Sequence, residues 1–258
     1  MILTTKNKTI ILNQKIFFFW CTILLLSLSS CAVFKKNRIT KNRGIEKSDY
    51  NLPLIVYPTK NINHKTMIIF LSGDGGWIDF DDDLAVAFSE NGFNTVGFNS
   101  RAYFWNKKTP KQIGQDISAI IKDYSKNFDC KNVILCGYSF GADVVPFIYN
   151  NLTFKEKTKV KSMLLLSPFA STDFVVYTKD LLNWGGDNRE FKVVKEVEKI
   201  KLPISCYYGK DEEPKPLSVI KKKRFYLYQL EGGHRYAEGS NKIIISNLLK
   251  SYEKSAQL

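Results

Sequence analysis

Apolar residues in this chain fall into short dense runs separated by polar segments with a helical repeat. Residues 67–71 are all apolar, and the run then breaks into Gly73, Gly75 and Gly76 around Asp74. A run of that length bounded by glycine is too short for a helix and fits a strand buried on both faces of a parallel sheet. Comparable strand-like runs follow at 94–98, 132–136, 160–166, 203–208 and 223–230. Between them, residues 81–91, 110–127, 140–150, 190–200 and 240–253 carry the spacing of one-sided helices. Strands alternating with helices predict an α/β fold, a mostly parallel sheet covered by helices on both faces. No internal repeat interrupts the pattern.

A buried parallel sheet carries its chemistry beyond the carboxyl ends of its strands. Directly after strand 132–136 stands Gly137-Tyr138-Ser139-Phe140-Gly141, followed by an apolar helix. This is the G-x-S-x-G arrangement of the α/β-hydrolase elbow, in which two small residues allow a sharp strand-to-helix turn that presents a serine nucleophile, here Ser139. A serine needs a base, and the chain has only two histidines, His64 and His234. His64 precedes a strand and falls on the wrong side of the sheet, whereas His234 follows the last strand, where this fold carries its base. The acid is expected between serine and histidine, and strand 203–208 runs into Gly209-Lys210-Asp211-Glu212. Asp211 is the commoner residue type and Glu212 has the better spacing from the glycine; both stand as candidates.

The opening glycine run then acquires a role. Acyl transfer in this fold uses the N–H of the residue after the nucleophile, Phe140, and a second N–H from the loop after an earlier strand, here Gly73, Asp74 and Gly75. The Asp74 carboxylate must point away from developing negative charge, either toward its own loop or toward a cation. Asp143 is read either as a first-turn acid favoured by the helix dipole or, like Asp74, as a substrate-binding residue. Tyr103, Phe104 and Trp105 follow a strand and are read either as the wall of an apolar substrate groove or as core. The run Asp81-Asp82-Asp83 reads as a helix start. No Cys/His cluster points to a metal and no cofactor motif is present; Cys130, Cys136 and Cys206 read as packed thiols. The stretch 167–190 is too short for more than a minimal cap, which implies a shallow, open site.

The amino end has a different character. Lys6, Lys8 and Lys15 precede the apolar run 16–28, and Leu28-Ser29-Ser30-Cys31 follows. Residues 1–30 resemble a bacterial lipoprotein signal whose cleavage leaves a lipidated Cys31; the apolar run is short for a membrane span. Residues 31–50 are polar and basic, a tether to a domain at 51–258. Ala32 in place of aspartate points to a periplasmic protein held at the outer membrane. The net charge is +13, and loss of residues 1–30 removes three lysines and no acid, leaving +10. For an anchored exported chain such charge favours an anionic membrane surface over nucleic acid, for which no binding signature is present.

Five stretches together resemble one family, the bacterial virulence protein VirJ and the equivalent domain of AcvB. They are LSGDGGW at 71–77, YFWNKKTPKQIGQDI at 103–117, GYSFGADVVP at 137–146, the YG-acidic segment at 208–213 and GGH at 232–234. The resemblance implies an exported α/β-hydrolase linked to hydrolysis of aminoacyl esters of phosphatidylglycerol, with secretion-system proteins as possible partners. Two other readings accompany it: a binding module that keeps the fold without catalysis, and a general esterase for small substrates.

Overall fold

The computed structural model describes residues 42–61, 65–177 and 189–256. Within the unit Lys41–Leu258 the elements run β1 (Ile45–Lys47), β2 (Leu54–Tyr57), β3 (Thr66–Leu71), α1 (Asp79–Glu90), β4 (Asn94–Phe98), α2 (Ser100–Tyr103) and α3 (Pro110–Asn127). They continue through β5 (Asn132–Tyr138), α4 (Phe140–Asn151), α5 (Phe154–Lys159), β6 (Val160–Leu166), β7 (Ser171–Thr172), β8 (Phe191–Lys192) and α6 (Val193–Glu198). The last elements are β9 (Ile204–Gly209), β10 (Phe225–Leu230) and α7 (Ser240–Ala256). Eight strands form one sheet in the order β1-β2-β4-β3-β5-β6-β9-β10, and β7 and β8 form a small separate ribbon. Only β1 and β2 run antiparallel to their neighbours; every pairing from β4 to β10 is parallel.

The unbroken apolar run of β3 follows from its place near the centre, where all six residues are buried. Met67, Ile69 and Leu71 join the larger core under α3 and α4, while Phe70 turns to the other face and meets Phe88 of α1 at 6.2 Å. Helix α1 packs beside α7, and α3 and α6 flank α4. The chain leaves β3 for β4 on one side and returns to β5 on the other. The crevice at the ends of β3 and β5 is therefore the switch point at which open α/β sheets hold their ligands.

Some elements differ from the sequence reading. Residues 45–47, assigned to the tether, form an exposed edge strand, and 54–57 form a buried strand beside it. The predicted helix 190–200 is shorter, because 191–192 pair with β7 and only Val193–Glu198 is helical. The polar helix α5 carried no apolar repeat to announce it. The signal segment, Cys31, His64 and residues 178–188 lie outside the described residues.

The acidic run at 81–83 does more than start a helix. Asp82 accepts hydrogen bonds from the Arg43 backbone N–H (2.9 Å), Arg43 Nε (2.5 Å) and Tyr57 Oη (2.5 Å), and Tyr57 Oη accepts from Trp77 Nε1 (2.9 Å). This chain of bonds ties the start of the folded unit to the loop after β3. Asp81 is fully buried; one oxygen accepts the Ile78 N–H (3.0 Å) and the other has no hydrogen-bond partner among the described residues. Burial pushes its carboxyl well above the ordinary range, outweighing that one hydrogen bond. The native protein thus holds a proton that the unfolded chain releases, so this group erodes stability as pH rises from the ordinary aspartate range toward its raised value. Asp81→Asn keeps the acceptor and removes the titration. In urea unfolding its stability relative to the parent should increase between pH 5 and pH 8, by on the order of 1 kcal/mol or more; an offset independent of pH would show that the carboxyl is not held in this way.

Candidate active site

Strand β5 ends in a turn that demands small residues on both sides of Ser139. A Cβ on Gly141 would lie 2.3 Å from the Leu71 carbonyl oxygen, and one on Gly137 would lie 2.4 Å from the Gly141 backbone. Helix α4 therefore rests backbone to backbone on the end of β3. Ser139 at the apex adopts φ 53°, ψ −123°, a conformation that costs a non-glycine residue energy and recurs at functional sites. Its N–H is fixed by the Leu166 carbonyl (2.8 Å).

The strained apex places the Ser139 hydroxyl against His234. His234 Nε2 lies 2.9 Å from Ser139 Oγ, and Nδ1 lies 2.7 Å from Glu212 Oε1. Of the two candidate acids, Glu212 is the one in contact: it is buried, whereas Asp211 is exposed and donates its backbone N–H to the Gly232 carbonyl (3.0 Å). The turn closed by the Glu212 N–H on the Gly209 carbonyl (3.2 Å) points residue 212 inward and 211 outward. Glu212 Oε2 accepts the Gly209 N–H (2.9 Å) and Ser167 Oγ–H (2.7 Å). Burial alone would raise its carboxyl, but the hydrogen bonds from His234, Ser167 and Gly209 outweigh burial and hold it below the usual glutamate range. The pair is so arranged that an imidazolium formed at His234 meets an ionised carboxylate.

Several supporting residues were not singled out by the sequence pattern. Ser167 also bonds Tyr236 Oη (2.8 Å), so the residue two after the histidine braces the acid. The His234 ring lies between Tyr138 (centroids 5.7 Å, stacked) and Phe169 (5.1 Å), and Tyr138 Oη donates to the His234 carbonyl (3.0 Å). Ser167 and Phe169 sit just past the end of β6. A hydroxyl and an aromatic in that position of a parallel sheet were the available hints.

The loop after β3 lies against the serine. A Cβ on Gly73 would be 3.3 Å from Ser139 Cβ, and the Gly73 carbonyl accepts the Gly76 N–H (3.2 Å), closing a tight turn with Asp74 and Gly75 at its tip. Gly76 needs its freedom, with φ 88°. Ser72 pins the base of the turn: its hydroxyl donates to the Gly73 carbonyl (3.2 Å) and accepts the Ser100 N–H (3.1 Å). Phe140 opens α4, so its N–H is one of the helix-end donors without an intrahelical acceptor. Gly73 and Phe140 thus approach Ser139 from two sides, while Gly75 is exposed and Asp74 half-buried.

The substrate-contact expectations divide. Tyr103 is core: it is buried against Phe98 and Phe104, and its hydroxyl donates to Asp116 (2.5 Å). Phe104 is fully buried, but Trp105 is 50% exposed on the wall of an open cavity. Asp143 is buried and accepts the Phe169 N–H (2.6 Å), so it holds in place the ring that covers His234. Burial drives its carboxyl well above the ordinary range; the Phe169 bond opposes this, the charge of Asp74 adds to it and Arg189 reduces it. Cys130, Cys136 and Cys206 are buried free thiols.

Comparison with solved structures shows the fold. Est1E from Butyrivibrio proteoclasticus superposes with a TM-score of 0.58 at 17% identity, over 83% of this chain and 99% of that one. A lipase-esterase related protein from Clostridium acetobutylicum ATCC 824 gives 0.57 at 16% identity, over 77% and 98%. A proline iminopeptidase from Mycobacterium smegmatis gives 0.56 at 12% identity, over 79% and 95%. At such identities the likeness establishes the α/β-hydrolase fold. No curated protein matches the chain in sequence. The family model for the bacterial virulence protein VirJ matches residues 65–256, most of the chain, and the protein belongs to the VirJ family.

Proposed function

We propose that this chain is an exported, lipid-anchored serine hydrolase that cleaves an aminoacyl ester of phosphatidylglycerol. The observation that carries the reading is the hydrogen-bonded series Ser139–His234–Glu212 at the switch point of the sheet. His234 Nε2 takes the Ser139 proton as Oγ attacks the ester carbonyl, and Glu212 stabilises the resulting imidazolium. The N–H groups of Phe140 and Gly73 receive the oxyanion. His234 then returns the proton to the departing glycerol alcohol, and a water deprotonated by the same imidazole releases the amino acid from Ser139.

The acyl group is assigned from charge. Asp74 stands half-buried in the turn whose Gly73 touches Ser139, and a carboxylate there suits an ammonium group, which an aminoacyl ester carries and a fatty acyl ester does not. The signal with Cys31, the charge of +10 after its removal and a tether to the outer membrane fit a substrate presented at an anionic membrane surface. A general carboxylesterase is the second reading, favoured by the esterases among the structural neighbours.

Liposomes containing lysyl- or alanyl-phosphatidylglycerol, assayed for released amino acid, separate the two. The proposal expects release from the aminoacyl lipids, and cleavage of short-chain acyl esters with both lipids untouched would leave the general esterase. Ser139→Ala and His234→Ala should each lower turnover by at least about 100-fold, and the double variant little further, because members of one proton relay do not act additively. Glu212→Gln should approach those losses while Asp211→Asn stays near the parent rate. The reverse order would reassign the acid.

A further inference from the structure

At the Gly76 end of the glycine turn lies a second set of polar side chains. A Cβ on Gly76 would sit 3.4 Å from Asn99 Oδ1 and 3.5 Å from both Cβ and Cδ of Arg101. Gly73, at the other end of the same hydrogen-bonded turn, touches Ser139. The ends of such a turn are separated by less than about 7 Å between Cα atoms. The nucleophile and Arg101 therefore flank a single turn, one from the end of β5 and one from the end of β4.

An open cavity of about 360 Å³ lies there, lined by Asn99, Arg101, Ala102, Trp105 and Asn106. Its chemistry is one-sided. The lining brings a guanidinium, an indole N–H and two carboxamide NH2 groups, and no carboxylate. Asn99 Oδ1 is engaged by the Ala102 N–H (3.2 Å), which fixes that side chain while leaving its donors available. Among the described residues no carboxylate forms an ion pair with Arg101, whereas Arg43 pairs with Asp82 and Arg189 with Asp173. A half-buried arginine among donors, with an apolar ring alongside, matches the oxygens of a phosphate group.

We propose that this cavity is a phosphate subsite, and that it takes the phosphodiester of an aminoacyl phospholipid headgroup while the ester carbonyl lies at Ser139. The inference rests on the aminoacyl-ester reading for its choice of phosphate source. The three-carbon glycerol spacer between phosphate and ester suits two groups separated by one turn. The headgroup would then lie across the loop after β3 with its phosphate toward Arg101 and its ammonium toward Asp74, so that charge sets its direction. Trp105, half-exposed on the outer wall, would contact the glycerol carbons.

The test measures binding, so that it stands apart from hydrolysis. Full-length protein carrying Ser139→Ala is titrated by calorimetry with glycerophosphoglycerol, the deacylated headgroup, and separately with inorganic phosphate. It is then compared with the same protein carrying Arg101→Gln or Arg101→Lys. Affinity for glycerophosphoglycerol should fall by about tenfold or more with glutamine, and less with lysine, which keeps the charge but not the planar fork. Tighter binding of glycerophosphoglycerol than of phosphate supports the headgroup as occupant; equal binding, still dependent on Arg101, supports the phosphate subsite with free phosphate as its source. Unchanged affinity in Arg101→Gln with a parent-like circular dichroism spectrum overturns the proposal, as does failure of the parent to bind either probe. If the probes bind through Arg101 but aminoacyl lipids are not hydrolysed, the subsite stands and the reaction assigned above falls.

Discussion

Helix α4 approaches the end of β3 so closely that residue 141 has room only for hydrogen, since a Cβ there would penetrate the Leu71 carbonyl oxygen. Interiors are packed at crystal density, so the neighbouring backbone has no space into which to retreat. That contact holds Ser139 at positive φ and brings it beside Gly73. The surrounding strand ends are fixed in the same manner, each by a backbone bond to its neighbour. Ser72 donates to the Phe98 carbonyl (3.1 Å), Ser139 to Leu166 (2.8 Å), Ser167 to Tyr207 (2.8 Å) and Lys210 to Leu230 (2.8 Å). The ladder of the sheet thus continues past the strands into the residues that form the site, and three of those residues are serines whose hydroxyls are used there.

Electrostatics within the site depend on how many donors each buried acid receives. Glu212 and Asp143 are both buried, yet their carboxyls shift in opposite directions. Glu212 receives donors from His234, Ser167 and Gly209; Asp143 has the Phe169 N–H and faces the charge of Asp74. Three donors overcome desolvation and one does not. Glu212 consequently adds stability above the ordinary glutamate range, and that contribution is lost as pH falls through its depressed value; Asp143 has the opposite slope. The protein tolerates the cost of Asp143 in a place where the acid steadies Phe169 over the imidazole.

Much of this was legible in the sequence because it depends on local pattern. The apolar runs of β3, β5 and β6 are continuous since both faces of the sheet are covered, and G-x-S-x-G marks a turn whose sterics exclude larger residues. Scarcity singled out His234. What escaped was set by contacts distant in the chain. Asp211 and Glu212 are neighbours in one turn, and only the Gly209 bond decides which faces inward. Ser167 meets Glu212, and Tyr236 meets Ser167, from separate strand ends. Tyr103 and Trp105 lie two apart in one aromatic run, yet the first is core and the second lines a cavity. Residues 45–47, Ile-Glu-Lys, are exposed and too few to show an alternation, so the edge strand went unread.

In the proposed reaction the close seat of α4 makes Ser139 a nucleophile served by His234 and Glu212. A fluorophosphonate probe followed by peptide mass spectrometry tests it most directly, since the reagent reports an activated serine whatever the natural substrate. A single adduct is expected, on Ser139, formed at least about 100-fold more slowly in Glu212→Gln and in His234→Ala. An adduct on another residue, or labelling of Ser139 at the parent rate without Glu212 and His234, would contradict it.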